Sequence, residues 1–224
     1  MQTKLREGTS AGRRARLSRE RVLRAALSLA DEAGIEALTM RRIGRRVGAE
    51  AMSLYRHVGS KDEILDGIVD IVFSEIPVPT GADWKPAMRQ RAISAREALS
   101  RHPWAVGLME SRMQPGPANL RHHDKVLEVL REAGFSSATA THAYNLLDSY
   151  IFGFALQEQG LPFTTAEELA EVGSRLLEQI PAGEYPNLTA ASSELLASGF
   201  NYADEFEVGL DLILDGIEKT WARP

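Results

Sequence analysis

The chain reads as all-α: a three-helix unit near the amino end, then a longer helical domain. Three observations predict this. Apolar residues recur at intervals of three and four along most of the chain, and no stretch alternates with period two for long enough to be a strand. Ser or Thr stands ahead of the first of these runs and Gly or Pro behind them, where helices start and stop. The composition, 44% apolar and 25% charged, is that of an ordinary globular protein, and 224 residues suffice for one domain or two small ones.

Taken in order, the first 17 residues hold Gly8, Gly12, Arg13, Arg14 and Arg16 with few apolar side chains, so residues 1–17 are expected to form a mobile basic arm. Val22, Leu23, Ala26, Leu29, Ala30 and Ala33 then mark a first helix, with Ser18 as N-cap and Gly34 as its stop. Thr39 caps a second, short helix that buries Ile43 and Val47 and ends at Gly48. A third begins near Glu50. If Leu54 and Val58 face inward, then Met52, Ser53 and Arg56 occupy the opposite arc, with Tyr55 and His57 on its flanks. Ser60 caps a fourth helix, which begins Lys61-Asp62-Glu63 and runs to Ile76, and its N-terminal N–H groups with the Lys61 ammonium suit a phosphate. The expected domains are 18–65 and 66–224.

Beyond Pro77, Pro79 and Gly81 the pattern predicts helices over Trp84 to Ser100, Pro103 to Met113, Ala118 to Glu132 and Ser136 to Gln159. Pro181 to Asn201, rich in Pro, Gly, Ser and Ala, reads as a weakly structured connection before a last helix from about Asp204 to Trp221.

A net charge of -5 conceals a strong segregation. Residues 1–61 carry 14 Lys+Arg against 6 Asp+Glu, and the remainder carries 12 against 25, so the amino end is suited to a polyanion. Two short helices joined through a glycine turn, the second exposing small, polar and aromatic side chains, form a helix-turn-helix layout whose second helix enters a major groove. Arg41, Arg42, Arg45 and Arg46 lie on the polar side of the supporting helix, within reach of phosphates. Ala51, Met52 and Ser53 are short enough to let the next helix approach base edges. A solvated basic hairpin with no nucleic-acid partner is the alternative.

Other chemistries find little support. His122-His123-Asp124 is the densest set of candidate metal ligands, but successive helical residues point about 100° apart and cannot converge on one ion. No metal, cofactor or catalytic residue is expected: there is no phosphate-cradling glycine loop and no GxSxG elbow. With no cysteine, disulfides, thiolate ligands and cysteine nucleophiles are excluded. No apolar run reaches the roughly 20 residues of a membrane span and the basic amino end lacks a signal-like segment, so a cytoplasmic location and no membrane partner are expected.

The run AALSLADEAGIEALTMRRIGRRVGAEAMSLYRHVGSKDEIL resembles the DNA-binding domain of the tetracycline-repressor (TetR) family of transcriptional regulators, over about residues 18 to 65. LYRHVGSKDEIL, with its tyrosine, histidine and lysine at that family's spacing, carries most of the likeness. The resemblance implies phosphate or groove contacts from Thr39, Arg41, Tyr55, His57 and Lys61, and base reading by Ala51, Met52, Ser53 and Arg56; Arg42 joins them from the helix pattern. Arg56 stands where the family often has an aromatic.

Two later helices carry broad apolar seams, Ala143, Leu146, Leu147, Tyr150, Ile151 and Phe154 in one, and Phe206, Leu210, Ile213, Leu214, Ile217 and Trp221 in the other. Gly153, Gly209 and Gly216 each cost a helix about 1 kcal/mol relative to Ala, which close approach of another helix would explain. DSYIFGFALQEQ and DEFEVGLDLILDGIE resemble the tetracycline-repressor type of C-terminal domain, which implies a homodimer through a four-helix bundle. Tyr150, Phe154, Phe206, Leu210, Ile213 and Ile217 are the expected interface, and a pseudo-palindromic double-stranded operator the expected partner.

Trp104, Met109, Met113, His123, Asn145, Ser149, Phe152 and Gln157 combine apolar bulk with a few polar groups, as small-molecule sites do. In the tetracycline-binding members a magnesium-bound drug is held partly by histidines. The aligned segment places Ser149 at one such histidine and Gln157 at a neighbouring acidic position, which implies a bulky, mainly apolar effector instead. The expectation is thus a ligand-released repressor. An effector-independent activator or architectural protein, and a small-molecule-binding protein or enzyme with an incidental basic hairpin, are the alternatives.

Overall fold

The computed structural model describes residues 16–81, 83–112, 114–181 and 183–221, with Glu110 described in its backbone alone. The expected basic arm, but for Arg16 and Leu17, lies outside the described residues, as does Met113. Among the described residues there are eleven α-helices, one 3-10 turn (Ile35–Ala37) and no strand. None of the helices is long and apolar enough to cross a membrane. The chain divides into two compact units between Ile64 and Leu65.

In the first unit, α1 (Arg19–Ala33) starts where Ser18 Oγ accepts from the Arg21 N–H at 3.2 Å, and stops at Gly34 with φ 76°. For α2 (Met40–Val47) the cap is Thr39, whose Oγ1 accepts from the Arg42 N–H at 3.3 Å. The helix ends at Gly48, in the left-handed region at φ 70°, where a side chain would be strained. α3 (Ala51–Leu54) is a single turn, continued by a turn over Tyr55 to His57. The three are held by one small core in which Val22, Ala26, Leu38, Ile43, Leu54, Val58 and Ile64 are buried. Gly44 sets the α2–α3 distance: a Cβ there would stand 2.7 Å from the Ala49 carbonyl oxygen. Arg21 ties α1 to the end of α2 by donating from Nη2 to the Val47 carbonyl at 3.0 Å.

Helix α4 (Lys61–Glu75) begins in the first unit and continues into the second. The second unit is built on α5 (Trp84–Arg101), α7 (Pro117–Glu132), α8 (Ser137–Gln159) and α11 (Tyr202–Trp221), with the short α6 (Ala105–Ser111) also against α8. α5 packs on α8, and α11 covers both. Arg96 of α5 lies over the rings of Phe154 and Phe206, 5.0 Å from each centroid, and its guanidinium pairs with Glu158. On the outer side of that contact, Lys85 pairs with Asp215 and Glu218 at 2.7 and 2.6 Å, and Arg89 with Glu207 and Asp211 at 2.5 and 2.8 Å. Four acidic residues of α11 are therefore partners of α5.

Two expectations are corrected. The connection expected over 181–201 contains a helix, α10 (Pro186–Ala197), and an unforeseen α9 (Ala166–Gln179) precedes it. Pro186 sits in the first turn, where its missing N–H costs nothing. Thr189 and Ser193 hydroxyls donate to carbonyls one turn back, at 3.0 and 2.8 Å, so the small polar residues fit a helix after all. α9 opens with a Thr165–Glu168 capping box, and the two helices pack on one another.

The second correction concerns the seams. Phe154, Phe206, Leu210 and Ile217 are buried inside the chain, where α5, α8 and α11 meet, so they are core and not surface. Tyr150 is half-buried and donates from Oη to the Phe206 carbonyl at 3.0 Å; Gly209 makes room for it, since a Cβ there would stand 2.1 Å from that hydroxyl. Ile213 is half-buried too. The apolar side chains left exposed on these helices are Leu146, Leu156, Val208 and Leu212, the last 69% exposed.

Candidate nucleic-acid interface and effector cavity

On the first unit, Leu54 and Val58 are buried beneath α3 and its following turn, and the opposite arc is open: Met52 is 76% exposed, Tyr55 and Arg56 are exposed, and Ala51, Ser53 and His57 are half-buried. Thr39, Arg41 and Lys61 are exposed and Arg42 is half-buried. Because the Thr39 oxygen is occupied in capping α2, its hydroxyl proton remains able to donate outward. Two parts of the expected phosphate set are otherwise engaged. Arg46 holds Glu32 through both terminal nitrogens, Nη1 at 2.6 Å, and that pairing keeps the Glu32 carboxyl below its ordinary range. At the start of α4 the Gly59 N–H donates to Glu63 Oε2 at 2.7 Å, so Glu63 already occupies one of the backbone donors facing the turn. Ser60 caps as expected, its Oγ accepting from the Glu63 N–H at 3.0 Å.

In the second unit a cavity of about 730 Å³ is lined by Phe73 of α4, Met109 and Arg112 at the end of α6, Asn119, Leu120 and His123 of α7, and Tyr144, Asn145, Asp148, Ser149 and Phe152 of α8, with Pro115. Five of the expected effector residues meet here: Met109, His123, Asn145, Ser149 and Phe152. Two do not. Gln157 lies eight residues beyond Ser149, about 12 Å further along the helix axis, and accepts from the Tyr202 hydroxyl at 3.0 Å. Trp104 precedes α6 and its ring lies 6.0 Å from that of His102. The His123 ring stacks flat on Tyr144, with centroids 4.0 Å apart and planes 1° from parallel, and forms an aromatic wall. Among the described residues no group of three His, Asp or Glu side chains could hold a metal ion.

Behind this wall lies a polar cluster that the pattern reading missed. Arg91 of α5 donates from Nε to His122 Nε2 at 2.9 Å and from Nη2 to Asp148 Oδ1 at 2.5 Å. Burial, then the charges of Arg91 and His123, push the His122 pKa down to about 4, so the ring is neutral at pH 7. Arg91 Nη1 and His122 Nδ1 are buried without a hydrogen-bond partner. A buried donor left unanswered costs about 1–3 kcal/mol. The available signal was Arg91 itself, a charge set between Met88, Ala92 and Ala95 on the buried stripe of α5.

The cavity also grips α4. Arg112 donates from Nε to Asp66 at 2.5 Å, and Asp70 accepts from the Ala118 and Asn119 N–H groups at 2.8 and 3.0 Å, capping α7. Further along, Glu75 pairs with Arg101 and His102; burial pushes its carboxyl up, but those two hydrogen bonds outweigh it and hold the group below its ordinary range.

Comparison with known proteins agrees with this geometry. Residues 22–68 match the family model described as bacterial regulatory proteins, tetR family, and residues 76–221 match that of the tetracyclin repressor-like C-terminal domain. The chain is 33% identical to the HTH-type transcriptional repressor DrrR1 of Streptomyces coeruleorubidus, over 96% of this chain and 82% of that one. It is 32% identical to the class A tetracycline repressor protein of Escherichia coli, over 88% and 89%. Among solved structures, the TetR family protein ActR of Streptomyces coelicolor in complex with actinorhodin superimposes with a TM-score of 0.75 at 28% identity, over 91% of this chain and 96% of that one. The same protein in complex with (S)-DNPA gives 0.76, over 92% and 98%. With both units matched, the chain belongs to the tetR family of bacterial regulatory proteins and is a transcription regulator, not an enzyme.

Proposed function

We propose that this regulator is a homodimeric repressor that binds a pseudo-palindromic operator in the cytoplasm and is released by a small, mainly apolar effector. The observation that carries the DNA-binding half is the open arc of α3. A methionine 76% exposed beside exposed Tyr55 and Arg56, over a fully buried Leu54, presents a face that the fold itself leaves unused. Arg56 suits a guanine edge and Met52 a thymine methyl, with Thr39, Arg41, Arg42, Tyr55, His57 and Lys61 around them for phosphates and Ala51 and Ser53 allowing close approach.

The effector half rests on the cavity, whose volume lies within the usual range of about 300–1,000 Å³ for small-molecule sites. ActR, with the same fold, has a structure in complex with actinorhodin, and that supports a small-molecule ligand here. Because Phe73, Asp66 and Asp70 of α4 touch the cavity or its neighbours, an occupant displaces α4 and so alters the spacing of two DNA-reading units. A coupling of about 1–3 kcal/mol suffices. The dimer is supported by the unused stripes: Leu146 with Gly153 on α8, and Val208, Leu212 and Gly216 on α11, where a Cβ on either glycine would meet nothing within 4 Å in this chain.

The test is to capture fragments of genomic DNA on the full chain, then titrate a compound library against the captured complex by fluorescence anisotropy. Salt-sensitive binding reversed by at least one apolar compound is expected. Binding that no compound reverses favours the effector-independent alternative, and absence of any salt-dependent binding removes the proposal.

A further inference from the structure

With no cysteine in the chain, its sulfur is carried by six methionines. Those among the described residues differ sharply in access. Met88 of α5 is fully buried, Met109 is 9% exposed in the cavity wall and Met40 is half-buried in the first turn of α2. Met52 is 76% exposed, more than any other large apolar side chain among the described residues, and it stands on the outward arc of α3 beside exposed Tyr55 and Arg56. A thioether reacts with oxidants in its neutral form, so access to the sulfur decides which methionine is modified. The most accessible sulfur is thus on the face that reads DNA.

We propose that Met52 is a redox-modification site: a peroxide oxidises it in the DNA-free protein, and the sulfoxide weakens operator recognition until it is reduced again. The inference rests on the reading of α3 as the DNA-contacting face. The step is an oxygen-atom transfer. The sulfur lone pair attacks one oxygen of hydrogen peroxide, an S–O bond forms as the O–O bond breaks, and the proton of the transferred oxygen passes to the departing one, which leaves as water. Sulfur gives up two electrons and the peroxide takes them. The product is polar, and its oxygen accepts hydrogen bonds without donating any. As a thioether Met52 suits a thymine methyl; as a sulfoxide it meets that methyl, the neighbouring O4 and the phosphates, none of which has a proton to give. Taking a strong acceptor out of water with nothing to answer it costs affinity at that base pair. The phosphate contacts of Arg41, Arg42 and Lys61 are untouched, so weak binding to unrelated duplex persists. Because Met52 is so exposed, the fold does not depend on it, and the change is read by DNA and not by stability. A bound operator covers the side chain, so the modification acts on the free chain.

The test treats the full chain with hydrogen peroxide over a time course. Each sample is mapped by peptide mass spectrometry and titrated by fluorescence anisotropy against two duplexes, one that the untreated chain selects from a random pool and one of unrelated sequence. Met52 should be oxidised about tenfold faster than the buried Met88 and Met109. Affinity for the selected duplex should fall about tenfold in step with Met52, while affinity for the unrelated duplex stays within about twofold and the melting temperature is unchanged. Methionine sulfoxide reductases A and B together should restore binding. Selected duplex added before the peroxide should slow the modification of Met52. In Met52→Leu, titrated against the duplex that this variant itself selects, treated and untreated protein should bind alike. An unchanged affinity once Met52 is fully oxidised overturns the proposal, as does an equal loss in Met52→Leu, which places the sensitive group elsewhere; both leave the DNA-reading face standing. Failure to select any duplex removes that reading and the proposal with it.

Discussion

His122 keeps its lone pair for an arginine, and the consequence is measurable in acid. Its pKa falls from 6.5 in the unfolded chain to about 4 in the folded one, first through burial and then through the charges of Arg91 and His123. Above pH 6.5 both states are neutral and the histidine is silent. As pH drops from 6.5 to 4 the unfolded state takes up a proton that the folded state refuses, so stability is lost across that window, by about 3 kcal/mol. Urea unfolding at pH 7 and pH 4.5 should show this loss in the native chain and a much smaller one in His122→Gln; an identical loss in both would contradict the assignment. On the other unit, Lys61→Ala should weaken all duplexes alike and reduce the salt slope by about 1, whereas Arg56→Ala should relax preference at one base pair, worth about 1–3 kcal/mol. Binding titrations against a one-base-substituted set separate the two outcomes. The outward set over 51–57 was legible in the sequence because two inward residues one turn apart fix a short helix's rotation. Arg91 and His122 were not, because spacing shows that a polar residue is buried without showing which polar residue from another helix meets it.

At the scale of the element, α2 and α3 are short enough that their geometry depends on a glycine more than on helix length. Gly44 lies where any Cβ would press on the Ala49 carbonyl, a backbone atom that cannot swing aside. Gly44→Ala should therefore destabilise the first unit by about 1–3 kcal/mol despite alanine's better helix propensity, and lower DNA affinity with it. A thermal melt and a binding titration on the variant check this; unchanged values would mean that the turn has slack. The caps Ser18, Thr39 and Ser60 were readable because each stands directly before an apolar periodic run. α10 was not, because its small Ala, Ser and Thr side chains leave only a faint apolar rhythm, whereas α9 carries Leu169, Val172, Leu176 and Leu177 at helical spacing behind Thr165 and was legible. For α10, Pro186 was the remaining signal.

For the whole molecule, α8 and α11 show why a seam can be recognised and still be placed on the wrong side. Both helices are apolar on more than one face, and periodicity does not say which face meets the chain's own core. Phe206 and Leu210 go inward, and Val208 and Leu212 remain. Leu212→Glu should leave thermal stability of the single chain nearly unchanged and convert a species of twice 24.6 kDa into one of 24.6 kDa in size exclusion with light scattering. A native species already at 24.6 kDa would remove the dimer.

The central claim, that two copies of the α3 face read one duplex, is tested most directly by selecting bound sequences from a random duplex pool with the full chain and weighing the complex. The account predicts an inverted repeat whose half-sites lie about one helical turn, or a multiple of it, apart, with two chains or a multiple of two per duplex. A single unrepeated site, no enriched sequence, or an inverted repeat that survives unchanged when Met52, Ser53 and Arg56 are all replaced by alanine would contradict it.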